Sequence, residues 1–178
     1  CICTAQGGTV WAWIPALAAN NKAVLDRFAP EFCGKELRMG CFAMTEPGGS
    51  HGGGGCDIEN LSLHGSKIRT IAKLDGNEWV INGQKMWASN EGVADLYCIV
   101  CTTDPNLGDE GVALIYVPNG TRGMTFGKDE KKAGMAGDKN HPMFLEDVRV
   151  PKEWRAAGPG VDGELLHNNF VIGRLVTA

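Results

Sequence analysis

The chain has 178 residues, 43% hydrophobic and 21% charged, which is the balance of a folded globular domain with one sizeable core. A formal net charge of −4 at pH 7, with no basic run longer than Lys131-Lys132, argues against nucleic acid or an anionic membrane as the main partner. No apolar stretch approaches a membrane span and no signal-peptide pattern opens the chain; it starts at Cys1 without a Met, which suggests a piece of something longer.

Residues 10–34 carry a helical pattern. Asn20 or Asn21 is a plausible N-cap for "KAVLDRF", whose Val24, Leu25 and Phe28 recur at helical spacing. Pro30 is expected to interrupt the helix and Gly34 to close the segment. From Leu37 the character turns to β. A strand-like run, Leu37 to Phe42, stops on "MTEPGG", and a second glycine cluster follows in "SHGGGGC". "SKIRTIAKLDGNEWVINGQKMWAS" then alternates apolar and polar residues around two turn dipeptides, Asp75-Gly76 and Asn82-Gly83. "DLYCIVCTT", "GVALIYVPN" and "PMFLEDVRVP" read as further strands, and "GELLHNNFVIGRLVTA" returns to a helical pattern. Turn signals every eight to twelve residues predict a compact antiparallel barrel or sandwich of about six to eight strands, flanked by helices.

Few residues invite chemistry on their own. The glycine cluster lacks a P-loop ending and fits no dinucleotide fingerprint. His51, His64, His141 and His167 have no metal-ligand spacing, so no metal is expected. The seven cysteines are an odd number, against a disulfide scaffold. Cys98 and Cys101 form a CxxC inside an apolar, β-branched run, where an extended backbone sends them to opposite faces. They read as buried free thiols. In "KMWASN", Trp87 and Ser89 stand two residues apart and are expected on one face of a strand.

Taken together, "FAMTEPGG" (42–49), "WVINGQKMWASN" (79–90), "KKAGM" (131–135), "FLEDVRVP" (144–151) and "GR" (173–174) resemble, in order and approximate spacing, the acyl-CoA dehydrogenases. The resemblance runs from about Ala19 to the end. It implies a mainly β fold with flanking helices, centred on an antiparallel β-barrel middle domain. Residues 1–35 would end an N-terminal helical domain, 36–157 would form the barrel, and 158–178 would open a C-terminal helical domain. FAD is the implied cofactor. Phe42, Met44 and Thr45 would run along its pyrimidine side, with the Thr45 hydroxyl and nearby amides donating to the edge that gains charge on reduction. Trp87 would pack on the benzenoid end, with Ala88 beside it and Ser89 donating near N5. The family's usual Trp-Ile-Thr reads Trp-Ala-Ser here, and a serine has more rotamer freedom.

On the substrate side, either Ser50 or Cys56, followed by Asp57, would take the CoA-facing loop position. Arg174, flanked by Phe170, would approach the CoA moiety. Asp138 falls where the family often has a serine, and a carboxylate there is expected to point away from CoA phosphates. The implied reaction is α,β-dehydrogenation of an acyl-CoA thioester, with a glutamate base beyond residue 178. Glu46 is read as a loop-structural residue. An electron-transferring flavoprotein is the implied acceptor, and a homo-oligomer, a dimer of dimers, the implied assembly. The location would be cytoplasmic in a bacterium and the mitochondrial matrix in a eukaryote. An acyl-CoA oxidase, a flavin monooxygenase or a non-catalytic flavin-binding relative on the same scaffold are the alternatives.

Overall fold

Two helices open the chain, α1 (Ile2–Ala18) and α2 (Lys22–Phe32), and Asn21 is the reason the second begins where it does. Its side chain accepts from the Val24 N–H at 3.0 Å, capping α2. The same side chain donates to the Arg155 carbonyl at 2.7 Å, tying the cap to the segment after the sheet. Pro30 does not stop α2, which runs on through Phe32. A computed structural model describes residues 2–47 and 68–177, with the side chains of residues 2–5, 174, 176 and 177 outside the described part. The strands are β1 (Gly40–Ala43), β2 (Ile71–Asp75), β3 (Glu78–Lys85), β4 (Leu96–Thr102), β5 (Val112–Pro118), β6 (Met124–Phe126) and β7 (Met143–Pro151), followed by α3 (Val161–Thr177).

The sheet is mixed and open, which corrects the expected antiparallel barrel. The seven described strands run β1-β4-β2-β3-β7-β6, with β5 on β4. β1 lies parallel to β4 along Gly40–Ala43, and β2 meets β4 in parallel where Ile71 faces Thr102. Alternation in sequence reports which face a side chain takes, not the direction of the neighbouring strand.

β4 and β5 are buried on both faces. Leu96, Cys98 and Val100, with Val112, Leu114 and Tyr116, pack beneath the helices. Tyr97, Ile99 and Cys101, with Ala113, Ile115 and Val117, fill the concave side with Trp79, Ile81, Met143 and Leu145. The Asp75-Gly76 signal is a true hairpin: Asp75 pairs with Glu78, and Gly76 has φ 61°. Asn82-Gly83 is instead an irregularity within β3, where the register with β7 shifts. A side chain at Gly83 would lie 2.7 Å from Thr70, so glycine there admits the segment that enters β2.

α1 contains Pro15, which has no N–H for the Trp11 carbonyl. Asn169 of α3 supplies a donor to that carbonyl at 3.2 Å. One residue on, the Tyr116 hydroxyl stands between the Ala16 N–H (2.9 Å) and the Ala12 carbonyl (2.7 Å), completing a hydrogen-bond step that the helix leaves open. The Trp11 indole lies edge-on to Phe170, centroids 5.7 Å apart, and 6.1 Å from the Phe42 ring. It rests where a side chain on Gly173 would be, since an added Cβ would meet the indole at 2.1 Å. Gly173→Ala is therefore expected to cost about 1–3 kcal/mol through overpacking, read as a lower melting temperature.

Candidate functional site

The end of β1 and the turn after β3 lie side by side. The Thr45 carbonyl accepts from the Met86 N–H at 2.9 Å, and the Asn90 side chain donates to the Gly40 carbonyl at 2.9 Å. The two sequence stretches predicted to meet a cofactor, Phe42–Thr45 and Trp87–Ser89, are thus neighbours. β3 ends at Lys85, so Trp87 and Ser89 do not share a strand face as expected. They sit in a tight turn in which Trp87 has φ 66° and Asn90 φ 68°. A bulky side chain in the left-handed region is uncommon and costly. The turn leaves the Trp87 indole 44% exposed while Ala88 and Asn90 are buried.

Beneath this surface lies a buried ion pair. Lys85 Nζ is 2.7 Å from Glu46 Oε1, with side-chain exposures of 0% and 4%, and also donates to the Met44 carbonyl at 3.0 Å. Glu46 accepts in addition from the Arg69 N–H (2.7 Å), the Thr70 N–H (3.0 Å) and the Thr70 hydroxyl (2.7 Å). Burial pushes the Glu46 carboxyl up, but the Lys85 charge and these hydrogen bonds outweigh it and hold it below its ordinary value. With both oxygens engaged, Glu46 fixes the strand end rather than moving protons, in keeping with the loop-structural reading.

Glu91 is a second buried carboxyl, and it is poorly served. Its Oε2 accepts from the Ala88 N–H at 3.1 Å, while Oε1 has no hydrogen-bond partner among the described residues. Burial raises its pKa to about 8, against a weaker lowering by the Ala88 N–H and by Lys85. Nothing in the sequence pattern marks it, because the strand-like alternation continues past the true end of β3 at Lys85.

Asp138 turns toward the Trp87–Asn90 turn. It is 6% exposed and its Oδ2 accepts from the Ser89 hydroxyl at 3.2 Å. Asn140 donates to the Ala88 carbonyl at 2.8 Å, and Lys132 Nζ donates to the Asp138 carbonyl and to Asn140 Oδ1. The loop between β6 and β7 is thereby stitched to the Ala88-Ser89 backbone.

Phe42 faces the helices, against Trp11, so a cofactor would meet its backbone and not its ring. Met44 and Thr45 are half-buried at the strand end. Phe170 is 6% exposed and packs the α1–α3 contact. Arg174 lies in α3 with its side chain outside the described part, and Ser50 and Cys56, with the glycine cluster, fall outside the described residues. Among the described residues, no group of His, Cys, Asp and Glu could hold a metal, and no helix is long and apolar enough to cross a membrane.

Cys98 and Cys101 are free and occupy opposite cores. Burial pushes the Cys101 thiol up to about 12 and raises Cys98 and Cys41 as well. Alkylation of native protein followed by mass mapping should modify exposed Cys33 and spare Cys41, Cys98 and Cys101 until the chain is denatured. Labelling of either CxxC thiol at the rate of Cys33 would contradict this burial.

The geometry finds counterparts in known proteins. The family model described as "Acyl-CoA dehydrogenase, middle domain" matches residues 41–148. Cyclohexane-1-carbonyl-CoA dehydrogenase of Syntrophus aciditrophicus is 38% identical over 78% of this chain and 33% of its own length. The human mitochondrial short-chain specific acyl-CoA dehydrogenase is 31% identical over 78% of this chain and 31% of its own. The solved butyryl-CoA dehydrogenase of Megasphaera elsdenii superposes with a TM-score of 0.75 at 27% identity, covering 97% of this chain and 42% of that one. The chain thus spans about a third of the length of these two sequence relatives.

Proposed function

The chain belongs to the acyl-CoA dehydrogenase family through its middle domain, and on that premise we propose that it forms one wall of a flavin site in an enzyme that α,β-dehydrogenates an acyl-CoA thioester. The observation that carries the reading is the Thr45 carbonyl bond to the Met86 N–H. It brings a strand end and a strained turn together at a half-exposed indole, with two half-buried hydroxyls nearby. A flat, hydrogen-bonding ring system fits such a surface, and the residues present suit FAD. When bound, FAD would supply the hydride acceptor.

In this reading Trp87 gives the ring an apolar contact, and the strained backbone holds the indole outward. Thr45 and the amides of the strand end offer donors to the ring edge where negative charge develops. The Lys85–Glu46 pair and Thr70 act from behind, fixing the Met44–Glu46 backbone so that those donors need no reorganisation. The proton-abstracting base is not Glu46, whose oxygens are already engaged, and is placed in a part of the protein beyond residue 178. The thioester, an electron-transferring flavoprotein as acceptor and a homo-oligomeric assembly complete the proposal.

The test is anaerobic addition of a panel of acyl-CoA thioesters to the full-length protein. Denaturation should release FAD, and at least one thioester should bleach the flavin absorbance. Protein that carries no flavin, or flavin that no acyl chain length bleaches, overturns the reading.

A further inference from the structure

We propose that Asp138 is a positioning residue that takes the Ser89 hydroxyl hydrogen, so that Ser89 meets the flavin as an acceptor and not as a donor. This rests on the flavin site proposed above and on the expectation from the family resemblance that Ser89 stands near flavin N5.

The chemistry follows from counting hydrogens. Asp138 Oδ2 lies 3.2 Å from Ser89 Oγ. A carboxylate accepts only, and a hydroxyl has one hydrogen, so Ser89 gives that hydrogen to Asp138. What remains for a third group is a pair of lone pairs. Oxidised flavin N5 has a lone pair and no hydrogen, which Ser89 then cannot serve. The reduced ring has an N5–H, which it can. The arrangement favours the reduced cofactor by one hydrogen bond, the reverse of the donor role expected from the sequence.

The placement of Asp138 is built, not incidental. Its N–H donates to the Met135 carbonyl at 2.9 Å, and Met135 has φ 54°. Lys132 Nζ lies 3.9 Å from the same Oδ2 and donates to the Asp138 carbonyl. The second oxygen, Oδ1, is buried with no hydrogen-bond partner among the described residues. A buried carboxylate oxygen without a donor works against stability, so the contacts of Oδ2 with Ser89 and Lys132 are what hold this side chain here.

The experiment is a double-mutant cycle on the midpoint potential of FAD bound to the full-length protein. Ser89→Ala in the native background should lower the reduction equilibrium constant about tenfold, equivalent to about 30 mV for a two-electron couple. In an Asp138→Ala background the freed hydroxyl can turn toward oxidised N5, and the same Ser89→Ala change should have no effect or raise the potential. In an Asp138→Asn background the original effect should persist, because the Ser89 hydroxyl donates to this position and the Lys132 ammonium lies 3.9 Å from it, which together keep the amide oxygen there. Asp138→Leu, similar in volume and unable to accept, replaces Asp138→Ala if that variant does not fold. An equal shift from Ser89→Ala in every background means that Asp138 acts through charge alone, and overturns the proposal. No shift in any background overturns it too, by removing Ser89 from N5. Absence of FAD from the native protein is a separate result, which brings down the flavin reading and this inference with it.

Discussion

Lys85→Met lowers the stability of the protein by about 3–5 kcal/mol, the cost of leaving a buried charge without its partner. Lys85 is fully buried, and its ammonium is the one cation at Glu46 in the described structure, at 2.7 Å. Pairing with Glu46→Gln should recover most of the loss, since the double variant has no buried charge. The pH dependence gives a sharper reading. In the native protein the Glu46 carboxyl is held below its ordinary value of 4.5. Its contribution is therefore present above that value and disappears as the pH falls through the folded pKa. In Lys85→Met burial of the carboxyl prevails, so the variant should lose least relative to the native protein in acid. Urea midpoints between pH 4 and 8 measure both effects, and a uniform deficit across that range would exclude the charge explanation.

Glu91→Gln acts in the opposite direction and in a different pH window. The Glu91 pKa is raised by burial from 4.5 to about 8. Between those values the folded protein holds a proton that the unfolded chain has released. Stability from this group is fully present below about 4.5 and is lost as the pH rises through 8. The difference between the two pKa values corresponds to at most about 5 kcal/mol at alkaline pH. A neutral amide imitates the protonated carboxyl and keeps an oxygen for the Ala88 N–H. The variant should match the native protein near pH 4 and become progressively more stable between about pH 4.5 and 8. Thermal midpoints that run parallel across the range would show that Glu91 is not the titrating group.

The order of the longer helices and strands was legible from turn dipeptides and alternation, but the helical pattern expected over 10–34 is two helices, the first beginning at Ile2. β6, with three residues, was too short to leave a periodic trace. The parallel pairing of β1 with β4 was not legible, because strand direction depends on the path between strands. The candidate site divides along the same line. The meeting of Phe42–Thr45 with Trp87–Ser89 was implied by the family motifs, but the turn that presents Trp87 was not, since backbone strain leaves no mark on composition. Lys85 did leave a signal. It continues the inward series Trp79, Ile81, Gly83 of β3, and a lysine on an inward face demands an anion. Glu46, expected as a loop-structural residue, has both oxygens engaged, and its partner Lys85 was not legible from the loop. The Ser89–Asp138 contact joins residues 49 positions apart through a loop with no periodic pattern, and only tertiary structure could disclose it.

The repair of α1 around Pro15 has a consequence for synthesis in the cell. Its two missing hydrogen-bond partners, Tyr116 and Asn169, lie 100 and 158 residues further along the chain. A ribosome adding about 5–20 residues per second makes Asn169 roughly 10–30 s after Trp11. Throughout that interval the helix has vacant backbone groups and an apolar flank that the sheet has not yet covered. Short helices are marginal in water even when their ladders are complete. The α1 ladder can be completed only when β5 and α3 have been made, so the first helix in the chain is among the last elements to reach its final hydrogen bonding.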